Sequence, residues 1–171
     1  TVGDKVFSNW SGAVNDFNPN INVRIKKNEV ITANYSTQIS VPHFLEQGWN
    51  LISIDLNLTE NAQQLLRSKK AMTLSSAGNA YVFSDNLMPT QACWIFSQTA
   101  ETITLTGISP ENFDFAATLK KGWNFVGPLT DSLLSGDNAI AWEWNGKNFS
   151  PTKNLRSCIG YYLYWPGNHA G

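Results

Sequence analysis

The chain has 171 residues, of which 42% are apolar and only 15% charged, and its formal net charge is −1. That length suits one ordinary domain or two small ones. With no basic block, nucleic-acid binding driven by phosphate neutralisation is not expected, and no apolar run reaches the length of a membrane span.

Asn, Thr, Ser, Gly and aromatic residues are plentiful, while Lys and Glu are scarce. Short β-branched or aromatic runs alternate with turn-rich pieces, which reads as an all-β domain. In chain order, the first loop signal is NDFNPN (15–20), followed by a strand-like INVRI (21–25). One segment reads as a helix, starting at Thr59 and running through Glu60-Asn-Ala-Gln-Gln-Leu-Leu-Arg67, with Thr59 as N-cap. A hairpin from Ala71 to Val82 turns at Ser76-Ala-Gly-Asn79. The strands CWIF (93–96) and TITLTG (102–107) follow, then Asp131-Ser-Leu-Leu134 as a shorter helical counterpart. A second hairpin turns at Asn145-Gly146, and the aromatic strand YYLYW (161–165) comes last.

The chain writes one phrase twice. Leu-x-x-Gly-Trp-Asn occurs at 45–50 and again at 119–124. Leu66 to Phe96 then matches Leu134 to Tyr164 without a gap: Ala71 falls on Ala139, Gly78 on Gly146, Tyr81 on Phe149, Trp94 on Tyr162 and Phe96 on Tyr164. The first copy is longer between the phrase and this matched block, and the insert includes the Thr59 helix. Two pseudo-repeated β units follow, 45–108 and 117–171, each read as strand, short helix, hairpin, strand. Each is too small to bury much alone, so one sandwich- or barrel-like body is expected.

The GWN phrase, the Gly-containing hairpin, Asn-Leu and the aromatic last strand resemble tandem modules near the C-termini of large secreted or surface bacterial proteins. In that family the phrase before the last strand is usually Leu-x-Pro-Gly-x-Gly-Tyr-Trp. This chain departs from it, with Leu87-Met-Pro-Thr-Gln-Ala-Cys-Trp94 and Leu155-Arg-Ser-Cys-Ile-Gly-Tyr-Tyr162. Upstream, Phe7-Ser-Asn-Trp-Ser-Gly, Asn18-Pro19 and Ile31-Thr-Ala-Asn-Tyr35 resemble the last half of a divergent internalin B-type repeat. That resemblance implies a short β-grasp-like fragment over residues 1–37, and a chain that starts at a cut point or as a mature fragment. Both resemblances imply a secreted or cell-surface location, and neither names a ligand.

Catalytic chemistry is poorly supplied. There is no G-x-S-x-G elbow. The two histidines, His43 and His169, lie outside the matched blocks and read as exposed and inert. Cys93 and Cys158 have no metal-ligand spacing; one disulfide and two buried free thiols both remain open. No metal and no cofactor are expected. Asp16-x-Asn18-x-Asn20 mimics the start of an EF-hand loop, but Ile21 and Lys27 stand where Gly and Glu are needed, so it reads as an Asx-rich turn. A glycosidase needs two carboxylates flanking a groove. Glu143, between Trp142 and Trp144, is the most suggestive acid, yet along a strand it points away from both. The sequons at Asn9, Asn34, Asn57 and Asn148 read as chance in an Asn-rich chain. The expectation is no enzyme.

Seven tryptophans leave the choice between core and platform. The repeat supplies an internal control: a position apolar in both copies is read as scaffold. Trp49 with Trp123, Trp94 with Tyr162, Phe96 with Tyr164, and Trp142 with Leu74 fall in that class, and Trp10 reads as core of the N-terminal fragment. Trp144 falls on Ser76 and Tyr161 on Cys93, while Trp165 lies just past the match. Trp144, Tyr161 and Trp165 are therefore the candidate platform, with Glu143, Asn145, Lys147 and Asn148 as nearby hydrogen-bonding groups. The function expected is a non-catalytic carbohydrate-binding module that holds a polysaccharide by aromatic stacking. The alternative is an adhesion or stalk module whose partner is a surface protein and whose aromatics are all core.

Overall fold

The structure, a computed structural model, describes residues 5–16, 18–24, 28–111, 113–135 and 138–167. The fold is all-β, and the chain divides into two units, Thr1–Ile39 and Ser40–Gly171. Among the described residues no helix is long and apolar enough to cross a membrane.

In the first unit, β1 (Lys5–Gly12) pairs antiparallel with the first part of β2 (Ile31–Leu45), with a bulge between Phe7 and Asn9. Phe7 gathers Trp10 and Tyr35 at ring-centroid distances of 5.3 and 6.1 Å. None of the described residues of this unit is buried, so the three rings stand in for a core, and Trp10 is half-buried among them. The Asx-rich loop is as expected: Asp16 Oδ1 accepts the Asn18 amide and Asn18 Oδ1 the Asn20 amide. These oxygens thus close turns; Lys27 lies outside the described residues. The expected INVRI strand does not form, because residues 21–24 make no ladder; Ile25 lies outside the described residues.

The second unit contains both repeats. The first comprises β3 (Gly48–Ser53), β4 (Asn57–Leu58), α1 (Glu60–Ser68), β5 (Met72–Leu74), β6 (Tyr81–Phe83), β7 (Ala92–Ser97) and β8 (Glu101–Ile108). A four-residue helix, α2 (Phe115–Thr118), leads to the second: β9 (Gly122–Val126), β10 (Ser132–Leu133), β11 (Ile140–Trp144), β12 (Phe149–Thr152), β13 (Asn154–Leu155) and β14 (Tyr161–Trp165). The sheets have the same order, β3-β7-β5-β6 and β9-β14-β11-β12. Helix α1 starts where the sequence places it, with Thr59 Oγ1 accepting the Ala62 amide. Its expected counterpart at Asp131–Leu134 is not helical. Ser132 and Leu133 form β10 against β13 instead, a pairing with a distant segment that local preference does not encode.

The repeated phrase is a hydrogen-bonded device. Gly48 and Gly122 take φ of +106° and +98°, a region open to glycine. Two residues on, the Asn side chain binds the turn back: Asn50 Nδ2 donates to the Glu46 and Gly48 carbonyls, and its Oδ1 accepts the Glu46 amide. Asn124 does the same with Lys120 and Gly122, and also reaches the Leu163 carbonyl.

The repeats are joined by reciprocal bonds. The Ser53 amide donates to the Cys158 carbonyl, and the Gly127 amide to the Thr90 carbonyl. Ser53 and Gly127 are matched positions, as are Thr90 and Cys158, so each copy offers the other the same contact. Thr90 and Cys158 both sit at positive φ, +67° and +65°. Space at the join is minimal: a Cβ on Gly127 would lie 2.3 Å from the Ile159 carbonyl oxygen.

One core lies under α1 and includes Leu45, Ile54, Leu66, Cys93, Ile95 and Leu105; a second gathers Leu134, Ala141, Leu155, Tyr161 and Leu163. A third cluster, Leu51, Ala92 and Phe125, has Leu74, Trp94, Trp144 and Tyr162 packed against it and belongs to both repeats. Both cysteines are free thiols.

Candidate functional site

The hairpin register changes which residues correspond. In the first repeat Met72 lies opposite Phe83 and Trp94, and Leu74 opposite Tyr81. In the second, Trp142 lies opposite Pro151 and Tyr162, and Trp144 opposite Phe149. With β6 matched to β12 and β7 to β14, Trp142 takes the place of Met72, and Trp144 that of Leu74. The gapless match puts Trp144 on Ser76 because the two hairpin loops differ, residues 75–80 against 145–148. A slip of two residues preserves the strand face, so the apolar pattern does not betray it. Trp144 is therefore not an addition to the scaffold but occupies a position that is apolar in both copies. It is half-buried, and its indole N–H donates to the Trp49 carbonyl at 2.8 Å.

The expected platform does not assemble. Tyr161 is fully buried, its hydroxyl accepting the Arg156 amide at 2.8 Å, and burial pushes the phenol above its ordinary pKa. Trp165 packs on the second core. Glu143 forms an ion pair with Arg156, which raises the guanidinium pKa, while Trp144 meets Trp94 and Phe149; acid and indole use opposite faces, as strand alternation requires. Asn145 Oδ1 accepts the Lys147 and Asn148 amides, closing its own turn. Lys147 and Asn148 are exposed at the tip.

Residues assigned to the scaffold are the ones that reach solvent. Trp49 is 45% exposed, Phe96 49% and Trp123 59%. Trp49 and Phe96 stack edge-to-face at 5.3 Å; their counterparts Trp123 and Tyr164 do so at 5.4 Å. Both pairs sit at the ends of their strands away from the join. Leu51 and Phe125, two residues further along, are covered by the third cluster.

The first pair borders a sizeable cleft. Its volume is about 700 Å³, with Trp49, Phe83 and Phe96 supplying the aromatic surface and Lys69, Gln98 and Glu101 the polar groups. Lys69 Nζ bonds both oxygens of Glu101 at 2.6 and 2.7 Å, and the Ser97 hydroxyl bonds the same carboxylate; these contacts hold the Glu101 carboxyl below the usual range. Trp49 also borders an apolar groove of about 340 Å³, lined by Met72, Tyr81, Trp94, Trp144 and Phe149. No signal in the one-dimensional pattern marks the Trp49 cleft, because α1, the end of β7 and the start of β8 form it together.

His43 is not exposed, as expected from sequence, but 2% accessible inside the second unit; His169 lies outside the described residues. Burial pushes the Cys93 thiol up to about 12; burial and the neighbouring Asp55 do the same to Cys158. Neither thiol is a ready nucleophile in this state. No family model, curated protein or solved structure matches this chain.

Proposed function

We propose that the second unit is a non-catalytic carbohydrate-binding module of a secreted bacterial protein, and that its polysaccharide lies in the Trp49 cleft. The observation that carries this reading is the exposed Trp49–Phe96 pair beside Lys69, Gln98 and Glu101. The apolar face of a pyranose stacks on such rings, while an amide and an ion pair take the hydroxyls; a few placed polar groups in an aromatic cleft are the usual means of fixing a small ligand. The platform is thus shifted from Trp144 to Trp49.

A glycan array probed with wild type, Trp49→Ala and Trp144→Ala tests it. Binding by wild type and Trp144→Ala but not Trp49→Ala supports the cleft. Absence of binding to every glycan by folded wild type sinks the sugar reading. The adhesion or stalk reading then stands, favoured by one observation: Trp94, Trp144, Phe149 and Tyr162 form a connected aromatic network across the repeats.

A further inference from the structure

His43 on β2 and Asp55 just past β3 converge in space with Cys158, just before β14 and a hundred residues further along the chain. His43 Nε2 lies 3.7 Å from Asp55 Oδ1, and Cys158 Sγ lies 3.5 Å from Asp55 Oδ2. One potential ligand atom from each of the three lies within 4.8 Å of the others. His43 is almost wholly buried, yet neither ring nitrogen has a hydrogen-bond partner, and Asp55 Oδ1 is likewise buried without one. An unpaired buried imidazole beside an unpaired carboxylate oxygen is costly, and native interiors seldom leave such groups without a partner.

We propose that His43, Asp55 and Cys158 bind one divalent transition-metal ion of the zinc class. Imidazole with thiolate selects zinc-type ions over magnesium or calcium, which prefer all-oxygen sets. The spacing fits. With zinc–sulfur and zinc–oxygen bonds of about 2.3 and 2.0 Å, the edge of a tetrahedron is about 3.5 Å. An ion here gives a partner to one ring nitrogen of His43 and to the Asp55 carboxylate, and displaces the thiol proton of Cys158 to solvent. It also ties Asp55 of the first repeat to Cys158 of the second, next to the Ser53–Cys158 backbone bond. Cys158 is half-exposed, which gives an entry path.

The test is to strip the purified chain with a chelator and titrate it with cobalt(II), then compete with zinc. The expected result is one equivalent bound, with a thiolate-to-cobalt charge-transfer band that zinc abolishes. Cys158→Ser and His43→Gln should each weaken binding by at least about 10- to 100-fold, the loss that even an outer-shell change brings; Cys93→Ala should leave the band intact. Zinc should raise the unfolding midpoint of wild type and not that of Cys158→Ser, which separates lost binding from lost folding. No stoichiometric uptake by the folded wild type, or uptake unchanged in Cys158→Ser, overturns the proposal.

Discussion

Cys93 sits at the centre of a core that α1 covers with Ala62 and Leu66; at the matching place in the second repeat, Tyr161 sits among Leu134, Leu155 and Leu163. Both side chains are fully buried. One repeat fills its interior with the nine-residue helix α1 and a small residue on the strand, the other with a large residue and, against its edge, Phe115 of the short α2. A change of size between matched positions therefore marks a change in core filling here, not a ligand. The frame around the cores is closely shared: the glycine turn, the asparagine that closes it, and the reciprocal bonds across the join. Small differences within that frame are what substitutions can separate.

The largest effect is expected where one copy has no room. Gly127→Ala pushes a Cβ against a backbone carbonyl and should cost about 3 kcal/mol, at the upper end for overpacking. Its counterpart Ser53 already carries a side chain, whose buried hydroxyl has no partner. Ser53→Ala should be neutral or stabilise by up to ~1 kcal/mol. Urea unfolding of the two variants measures the contrast; equal costs would break the idea that the join is asymmetric in packing.

Asn50 and Asn124 come next. Asn124 is buried and bonds three carbonyls and one amide, whereas Asn50 bonds two carbonyls and one amide and is less covered. Asn124→Ala should cost about 2–3 kcal/mol and Asn50→Ala about 1, because buried partners left unsatisfied lose more than those that water reaches. Thr90 holds a β-branched side chain at φ +67°. Thr90→Gly should raise stability by about 1 kcal/mol through relief of a left-handed conformation, read as a higher denaturant midpoint at unchanged slope.

The smallest effect concerns an ion pair of the first repeat. The Lys69 and Ser97 bonds depress the folded-state pKa of Glu101. A depressed carboxyl contributes stability above its unfolded pKa of about 4.3, and the contribution fades as pH falls through the lower folded value. The pair is solvent-accessible, so the slope is small. Glu101→Gln should flatten the acid limb of a stability-against-pH curve; an unchanged limb would remove the pair from the account.

Much of the fold was legible in the sequence. Turn chemistry and alternation identified the all-β class, and Thr59 announced α1. The two copies of Leu-x-x-Gly-Trp-Asn announced two like units. Hairpin register was not legible, because a two-residue slide keeps every side chain on its face; that slide moved Trp144 from an apparent addition to a conserved apolar rung of the frame. Asp131–Leu134 reads as a helical turn locally, but pairing of Ser132 and Leu133 with β13 prevailed.

The sequence by itself thus determined most of the elements and the repeat, because φ preferences, capping and period-two alternation act between near neighbours. Only the tertiary structure decided which aromatics face water. Trp49 and Leu51 share a strand face, yet the second sheet covers only the end that holds Leu51. It also decided that His43, Asp55 and Cys158 meet. No spacing encodes that meeting, since it depends on how two repeats close against each other.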